Sequence, residues 1–413
     1  VMNAVPNPLA SRYHQVDNAL IENNRFVRCD HIEFGVGADF ERTVSPVNTV
    51  VKNNLFCYPE KSTVIETHTD ISGIKFIDNK VVASASINKT GFHPVKLESE
   101  PSCVFPVRKE DCGASWHIEK PVDNQRTEAG KILIKAEQNS LINAVKNLKY
   151  GDTVYLENNA RYFIDEPVVI NKLVFIRPVD LKDSLPVIRY NGKSGQRAMI
   201  TIADNGILNI SGVEFSGNPS EGNARPMAGI APAAEMGGTY SAVIENCVFN
   251  YFEESFSAGF KALKNSFADS LTFVNCKFHN ISGEGIALGA EKNDDGKYSA
   301  ENIVIENCYF NNILGCAVNI YRGGNDESTH GPSLYMDNCN FDLSSNQERG
   351  ATLRLIGVQT AHLKNLTFTN SGRGGAAIKF DECRWDDIQL SNIRYENSGK
   401  LRMNRLYQQQ ASH

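Results

Sequence analysis

The sequence predicts an all-β chain built as two right-handed parallel β-helices in tandem, of which the first is incomplete. Three observations lead to this fold class. A six-residue pattern recurs, its copies follow one another at a nearly constant interval, and each interval contains short alternating strands separated by Gly, Asn, Ser and Asp. Short strands and turn residues at a fixed period are typical of a solenoid in which each repeat forms one coil.

The pattern consists of an apolar residue, a variable residue, Asn, a small or apolar residue, a variable residue and an aromatic residue. Its first copies centre on Asn23 and Asn53, which are 30 residues apart. The later copies follow at intervals of 29, 32, 31, 27 and 27 residues, and they centre on Asn246, Asn275, Asn307, Asn338, Asn365 and Asn392. Leucine-rich repeats are excluded because their Leu-x-x-Leu-x-Leu frame does not occur, and propeller blades because they need roughly 40 residues or more.

Stacked coils place equivalent residues in columns about 4.8 Å apart. The repeated Asn side chains are therefore expected to hydrogen-bond from coil to coil. The same stacking predicts one column that contains Cys247, Cys276, Cys308 and Cys339. This column is either a metal or redox strip or a row of small buried apolar side chains. We favour the buried row because no His or carboxylate accompanies the cysteines.

The pattern divides the chain into four segments. Residues 1–100 are expected to be the C-terminal coils of a first, catalytic-type β-helix, and the mixed, Pro-bearing residues 101–135 a connector. Residues 136–400 are expected to form the second β-helix. It begins with an amphipathic helix near 140–149, with Ser140 as N-cap, which would cover the exposed sheet edges of the first coil. Residues 401–413 are expected to be a frayed tail.

Composition excludes several classes of protein. The chain is 41% apolar, which is enough for a packed core, but no run of 18 apolar residues exists, so no transmembrane helix is expected. The net charge of −6 argues against a protein that coats nucleic acid. The ten cysteines include no Cys-x-x-Cys pair, so no zinc site is expected.

The first residues, Val1 to Pro6, contain no basic segment, no apolar segment and no cleavage site, and they read as the middle of a strand. We therefore expect that earlier coils of the same protein precede Val1.

A family resemblance rests on the first part of the chain. Residues 3–21 read NAVPNPLASRYHQVDNALI, and residues 23–29 read NNRFVRC. These stretches resemble a segment late in the catalytic β-helix of polysaccharide lyase family 6, the alginate lyase and chondroitinase B family. The resemblance is good over residues 3–56 and vague from there to about residue 130. The second β-helix resembles the C-terminal domain of two-domain members by the order of its parts.

The resemblance implies cleavage of uronate-containing chains by β-elimination. It also implies Ca²⁺ held by Asn and a Glu-x-Glu pair, a Lys base, and an Arg within an Arg-His-Gly triplet. No Arg-His-Gly occurs in this sequence, and its one Glu-x-Glu, Glu98 to Glu100, follows the matched segment. We therefore expect no catalytic residue and no Ca²⁺ ligand in this chain. The full-length parent is expected to be an enzyme and this chain alone to be inactive.

The edge of a substrate cleft is expected to remain, formed by Arg12, Tyr13, Gln15 and Arg42. If Val16 points inward, strand alternation turns Tyr13 and Gln15 outward. There, Tyr can stack on a sugar, Gln can bond hydroxyl groups, and Arg can pair with a uronate carboxylate. The alternative is an ordinary solvated surface.

Two other sites are weaker candidates. Asp294 and Asp295 could bind Ca²⁺, although Asp-Asp-Gly is more often a turn. Arg354 lies in a stretch that faintly echoes the surroundings of the catalytic triplet, but an ordinary strand is expected there.

Two functions stay open. The first is part of a polysaccharide lyase, with alginate the favoured substrate, and the second is a non-catalytic carbohydrate-binding β-helix. A pectinase-type hydrolase would need clustered Asp residues, and no Asp recurs in the repeat. The expected partner is an acidic polysaccharide, with neither nucleic acid nor membrane. The missing N-terminal part of the protein and a second copy in a homodimer stay open as partners. The resemblance implies a secreted or periplasmic location.

Overall fold

The structure is a computed structural model of the 413-residue chain. It describes residues 1, 3–6, 14–27, 31–57, 64–82, 90–94, 129–193, 197–219, 223–291, 296–323, 331–383 and 388–404. The chain divides into two compact units, one of Val1–Pro8 with Arg12–Arg126 and the other of Leu9–Ser11 with Thr127–His413.

The described strands of the first unit form three small parallel sheets. Sheet A has the order β1-β4-β7, sheet B the order β2-β5-β8-β9, and sheet C pairs β3 with β6. The strands are β1 Leu20–Glu22, β2 Arg25–Val27, β3 Ile32–Phe34, β4 Thr49–Lys52, β5 Leu55–Cys57, β6 Ile65–Thr67, β7 Ile74–Ile77, β8 Asn79–Val82 and β9 Phe92–Pro94.

The described part of the second unit contains helix α1, Ser140–Asn147, and three long parallel sheets of ten, nine and nine strands. Sheet D contains β10 Lys131–Ile134, β11 Thr153–Leu156, β14 Leu173–Pro178, β17 Ile207–Ser211, β20 Tyr240–Glu245, β23 Ala268–Val274, β26 Ala300–Glu306, β29 Ser333–Asp337, β32 Thr360–Lys364 and β35 Ile388–Ser391. Sheet E contains β12 Arg161–Ile164, β15 Val187–Tyr190, β18 Glu214–Ser216, β21 Val248–Phe252, β24 Lys277–Ile281, β27 Tyr309–Ile313, β30 Asn340–Asp342, β33 Thr367–Thr369 and β36 Arg394–Glu396. Sheet F contains β13 Val168–Ile170, β16 Ala198–Ile202, β19 Ala228–Pro232, β22 Ala258–Lys261, β25 Glu284–Leu288, β28 Val318–Tyr321, β31 Ala351–Ile356, β34 Ala376–Asp381 and β37 Leu401–Asn404.

Each coil contributes one strand to each sheet and pairs with the next coil in parallel. In sheet E, for example, Phe249 is paired with Phe278 and Phe278 with Phe310. Apolar and polar positions alternate along most strands, so that one face of every sheet enters the common core. The predicted all-β parallel β-helix is confirmed.

The repeated Asn residues form the corners between neighbouring sheets. Asn246 has φ 53° and Asn275 φ 55°, in the left-handed region that Asn tolerates better than most residues. Their amides hydrogen-bond from coil to coil, as predicted: Asn275 Nδ2 donates to Asn246 Oδ1 at 3.1 Å, and Asn338 Nδ2 donates to Asn307 Oδ1 at 2.7 Å. The corner conformation and the amide bonds together explain why Asn recurs once per coil.

A stack of aromatic rings fills the core behind sheet E. Phe249, Phe278 and Phe310 stack with centroids 4.8 and 4.7 Å apart. The same stack begins at Phe215 and continues through Phe341 and Phe368 to Tyr395. Gly259 in sheet F leaves room for one of these rings, because a Cβ there would lie 2.7 Å from Phe278 Cδ1. Ring and glycine therefore act as matched partners across the core.

The four cysteines form one buried column, as predicted. Cys276 Sγ donates to the carbonyl oxygen of Ile244 at 3.3 Å, and Cys339 Sγ to that of Asp337 at 3.3 Å. The equivalent positions of the preceding and following coils are Val213 and Leu366, both fully buried. A column that begins and ends with aliphatic side chains is a packing feature, which confirms the buried row.

Helix α1 closes one end of the second unit. Leu141, Ile142 and Val145 are buried, and the helix packs on β10, β12 and β13, the first strand of each sheet. The predicted N-cap was wrong by one residue. The cap is Asn139, at φ 60° and with no side-chain cap hydrogen bond, because its amide instead bonds Asp165.

Two predicted boundaries differ from the structure. Lys131–Ile134, placed in the connector, is strand β10 and pairs with β11. Leu401–Asn404, placed in the tail, is strand β37 and pairs with β34. Neither segment carries the Asn repeat, so only the pairing with a neighbouring strand reveals it. The remainder of the connector up to residue 128, and residues 405–413, lie outside the described part of the chain.

No helix in the described residues is long and apolar enough to cross a lipid bilayer.

Replacing Phe310 by Ala should destabilise the second unit by about 3–5 kcal/mol, because it removes a fully buried ring from the middle of the stack. The free energy of unfolding is measured by urea denaturation followed by circular dichroism. Phe256→Ala is the control, since Phe256 is 42% exposed and should cost far less. Equal losses in both variants would contradict the placement of the stack in the core.

The buried thiols should resist alkylation. Burial raises the pKa of Cys247 to about 12 and that of Cys383 to about 12, so that almost no thiolate is present at pH 8. Iodoacetamide at that pH, followed by peptide mass spectrometry, should leave both unmodified in the native chain and modify both in urea. Comparable labelling before and after unfolding would contradict the burial of these two thiols.

Candidate functional site

The corners between sheets A and B carry a row of polar residues. Asn23, Asn53 and Asp78 occupy equivalent positions in three successive coils, with φ of 59°, 54° and 50°. All three are exposed. Because each corner must adopt a left-handed conformation, short polar side chains are favoured there, and they line one edge of a groove.

The next residue of each coil turns inward and forms an amide ladder. Asn24 Nδ2 donates to Asn54 Oδ1 at 3.0 Å, and Asn54 Nδ2 donates to Asn79 Oδ1 at 2.9 Å. Asn54 and Asn79 are fully buried. Asn79 Nδ2 also donates to the Val51 carbonyl oxygen at 2.8 Å. A buried amide must be hydrogen-bonded to be tolerated, so this ladder fixes the spacing of the corners above it.

The following position points out of sheet B and builds the floor of the groove. Arg25 is paired with Leu55, Leu55 with Lys80, and Lys80 with His93, across four neighbouring strands. Arg25, Lys80 and His93 are exposed and Leu55 is half-buried. Adjacent strands are about 4.8 Å apart, so the row places cationic side chains at fixed intervals with an apolar patch between two of them.

The groove has a volume of about 680 Å³ and is lined by these corner, ladder and floor residues. Among the described residues that line the groove, Asp78 is the one acid, and its Oδ1 lies 3.5 Å from His93 Nε2. Amides, an apolar floor residue and basic side chains suit a sugar chain that carries carboxylates, because hydroxyls, ring faces and anions each find a partner.

The predicted cleft residues are placed as follows. Arg12 and Tyr13 lie outside the described residues. Gln15 is exposed, and its Nε2 donates to the Ser45 carbonyl oxygen at 2.8 Å. Arg42 forms two hydrogen bonds with Asp39 Oδ2, from Nε at 3.0 Å and from Nη2 at 2.7 Å. These bonds hold the pKa of Asp39 at about 2, so its carboxylate is ionised and paired with Arg42 near neutral pH.

Sequence reasoning missed Arg25, Lys80 and His93. A signal was available, since Arg25 follows the Asn-Asn of the repeat directly and Lys80 follows Asp-Asn. The repeat alone does not show on which face of sheet B these residues lie. That face follows only once Asn24 is known to point inward. The bonded ladder of Asn24, Asn54 and Asn79 supplies that direction.

Sheet F of the second unit also carries a polar row. Asn319, Arg354, Lys379 and Arg402 are successive partners in β28, β31, β34 and β37. Arg354 Nη1 donates to Asn319 Oδ1 at 2.9 Å, and Lys379 Nζ lies 3.5 Å from Asp381 Oδ2. Arg354 therefore lies in an ordinary strand, as expected, and the local acid and amide satisfy much of the row.

The described residues do not fit the Ca²⁺ that the family resemblance implies. Within the described ranges, the group of His, Cys, Asp and Glu side chains close enough to share an ion is His31, Glu33 and Glu66. Ca²⁺ takes six to eight oxygen ligands, whereas this group centres on an imidazole nitrogen. Glu98, Glu100, Asp294 and Asp295 lie outside the described residues.

Comparison with known proteins gives one family and a set of solved structures. Residues 1–101 match the Chondroitinase B family. The structure of the PL6 family alginate lyase AlyGC is similar at 29% identity and a TM-score of 0.58, over 99% of this chain and 58% of that one. A mutant of AlyGC is similar at 28% identity and a TM-score of 0.53, over 98% and 60%. No curated protein sequence matches the chain.

The chain thus spans 58% of the length of the lyase that it matches. The matched family segment, residues 1–101, contains the corner rows, the amide ladder and the basic floor of the groove. The predicted resemblance to polysaccharide lyase family 6 is confirmed by the family match and by the similarity to AlyGC.

Proposed function

We propose that these 413 residues are part of a polysaccharide lyase that cleaves uronate-containing chains by β-elimination, with alginate as its substrate. The observation that carries the proposal is the basic, amide-lined groove within residues matched to the Chondroitinase B family. The similarity to an alginate lyase supports the choice of alginate. The chain spans only part of that lyase, so its role within a whole enzyme belongs to the proposal.

The proposed role of the groove is to hold the polysaccharide. Arg25 would pair with a uronate carboxylate through two N–H groups, and Lys80 would act as a point charge for a carboxylate further along. Leu55, between them, would lie against a sugar ring. Arg12 and Tyr13 remain proposed contacts of the same polysaccharide. Gln15 and Arg42 would reach the polysaccharide only by giving up their hydrogen bonds to Ser45 and Asp39.

The chemistry of elimination sets further requirements. The carboxylate next to C5 must be neutralised, a base must remove the C5 proton, and an acid must protonate the leaving O4. In the family, Ca²⁺ supplies the neutralisation when it is bound. The Arg-His-Gly triplet of the family does not occur in this sequence, so we assign no base and no acid to this chain.

A second candidate function is a carbohydrate-binding β-helix without catalysis. The same two observations favour it, a groove with cationic side chains and a sequence that lacks the catalytic triplet. The two functions make different predictions for the protein encoded by the complete coding region. That protein either cleaves the polysaccharide by elimination or only binds it.

The proposed location is outside the cytoplasm, in the medium or the periplasm. Cys57, in sheet B, is disulfide-bonded. Structural disulfides persist in oxidising compartments and are rare in the cytosol, which supports the proposal.

Removing the groove cations should weaken binding of alginate oligosaccharides. Each of Arg25→Ala and Lys80→Ala should lower affinity by about 1.4-fold to fivefold at low salt, since exposed ion pairs contribute about 0.2–1 kcal/mol each. Isothermal titration calorimetry measures the affinity. The loss should shrink above 0.1 M salt, where charges are screened beyond about 10 Å.

Lys75→Ala is the matched control, because Lys75 is an exposed lysine of sheet A in the same unit and is not among the residues that line the groove. Its affinity should stay close to that of the unchanged chain. If Lys75→Ala and Lys80→Ala weaken binding equally, net charge rather than the groove binds the polysaccharide.

The 413-residue chain alone should show no elimination, while the product of the complete coding region should be active. The assay follows the ultraviolet absorbance of the unsaturated C4–C5 product from alginate and from dermatan sulfate, with Ca²⁺ added. Turnover by the 413-residue chain would contradict the assignment of no base to it. Binding without turnover by the complete product would favour the non-catalytic function.

A further inference from the structure

A second cluster of charged side chains lies on sheet C of the first unit, apart from the groove. Glu33 on β3 is paired directly with Glu66 on β6. His31 precedes β3 by one residue and His68 follows β6 by one residue. The sequences His-Ile-Glu and Glu-Thr-His thus meet across two neighbouring parallel strands, with the two carboxylates at the centre.

Three of these side chains can share one ion, because the ligand atoms of His31, Glu33 and Glu66 lie within 4.8 Å of one another, and His68 lies beside them. His31 Nε2 lies 2.8 Å from Glu33 Oε1 and 3.0 Å from Glu66 Oε2. His68 Nε2 lies 3.4 Å from Glu33 Oε2 and 3.9 Å from Glu66 Oε1. Each carboxylate therefore presents one oxygen to each imidazole.

Hydrogen bonds alone leave this cluster incompletely satisfied. His31 Nε2 carries at most one proton, so it can donate to one carboxylate oxygen while two lie within reach. The two glutamates are like charges opposite one another on adjacent strands, an arrangement that is destabilising unless a cation compensates it. The His31 side chain is only 7% exposed, and its Nδ1 is buried with no hydrogen-bond partner in the described residues. The ring is therefore held in place by packing, with Nε2 directed at the carboxylates.

We infer that His31, Glu33 and Glu66 bind a divalent transition-metal ion of the Zn²⁺ type, with His68 beside the site. Ligands at about 2.0–2.1 Å around a tetrahedral ion are about 3.3 Å from one another, and His31 Nε2 lies 2.8 and 3.0 Å from the carboxylate oxygens of Glu33 and Glu66. Mixed imidazole and carboxylate ligands suit Zn²⁺ better than Ca²⁺ or Mg²⁺. The glutamates are 40% and 45% exposed, so an ion can enter from solvent.

This site changes the expectation drawn from the cysteines. The lack of a Cys-x-x-Cys pair excludes cysteine-rich zinc sites, but His and Glu on neighbouring strands can form a site with no cysteine. In sequence the two halves are separated by the 32 residues between Glu33 and Glu66. Only the pairing of β3 with β6 brings them together.

Calorimetric titration of the chelator-treated 413-residue chain with ZnCl₂ tests the inference. Saturable binding of one ion per chain is expected, together with a higher melting temperature, and CaCl₂ should bind at least about tenfold more weakly. The Co²⁺-loaded chain should show the visible absorption bands of tetrahedral Co²⁺, without a thiolate charge-transfer band in the near ultraviolet. Adding Zn²⁺ should displace the Co²⁺ and remove these bands. No saturable Zn²⁺ binding, or a thiolate band on Co²⁺, would overturn the site.

Variants locate the ion. His31→Gln and Glu66→Gln should each weaken Zn²⁺ binding by about 10- to 100-fold or more, with circular dichroism unchanged. His93→Gln is the matched control, because His93 also lies beside a carboxylate, Asp78, but with only one such neighbour in the described residues. Unchanged binding in folded His31→Gln, or an equal loss in His93→Gln, would overturn the assignment. If Glu66→Gln does not fold, the Co²⁺ spectra of the unchanged chain and of His31→Gln decide.

Discussion

The hydrogen-bonded register between successive coils is the constraint on which the rest of this structure depends. Each strand pairs in parallel with the equivalent strand of the next coil. A residue type that recurs once per coil therefore forms a column with members about 4.8 Å apart. The left-handed Asn at the corner ends one strand and starts the next, and its amide can bond the neighbouring coil. A shift of one residue in the pairing would turn every core side chain of a strand to the solvent. For this reason the aromatic residue keeps the same distance in sequence from the corner Asn in each coil.

The two units fill the same column differently. The residue after the corner Asn is a second Asn in the first unit and Cys in much of the second. The buried amides are tolerated because each bonds the next coil or a backbone carbonyl, whereas the thiols make only weak bonds to carbonyls and pack as small apolar groups. The first unit thus has a hydrogen-bonded amide ladder beneath its groove. The second unit has a continuous apolar core that helix α1 covers at one end.

Register also builds the two sites. On sheet B it converts one basic residue per coil into a row, in which no single exposed charge contributes much but several act on the same extended ligand. On sheet C it forces Glu33 against Glu66, and the flanking imidazoles approach both. Repetition of similar side chains gives an extended surface for a polymer, while the meeting of unlike residues from two coils gives a compact site for an ion. Both follow from the same strand pairing.

The sequence by itself determined the fold class, the Asn corners, the cysteine column, the capping helix and the family resemblance, because each depends on a local pattern or on a spacing along the chain. It did not determine the inward direction of Asn24, and so it missed Arg25, Lys80 and His93 on the outer face. It also missed β10 and β37, which lack the repeat and exist as strands by pairing with a neighbour. The cluster of His31, Glu33, Glu66 and His68 was decided only by tertiary structure. Its members belong to different coils, and no periodicity in the sequence records which strands lie side by side.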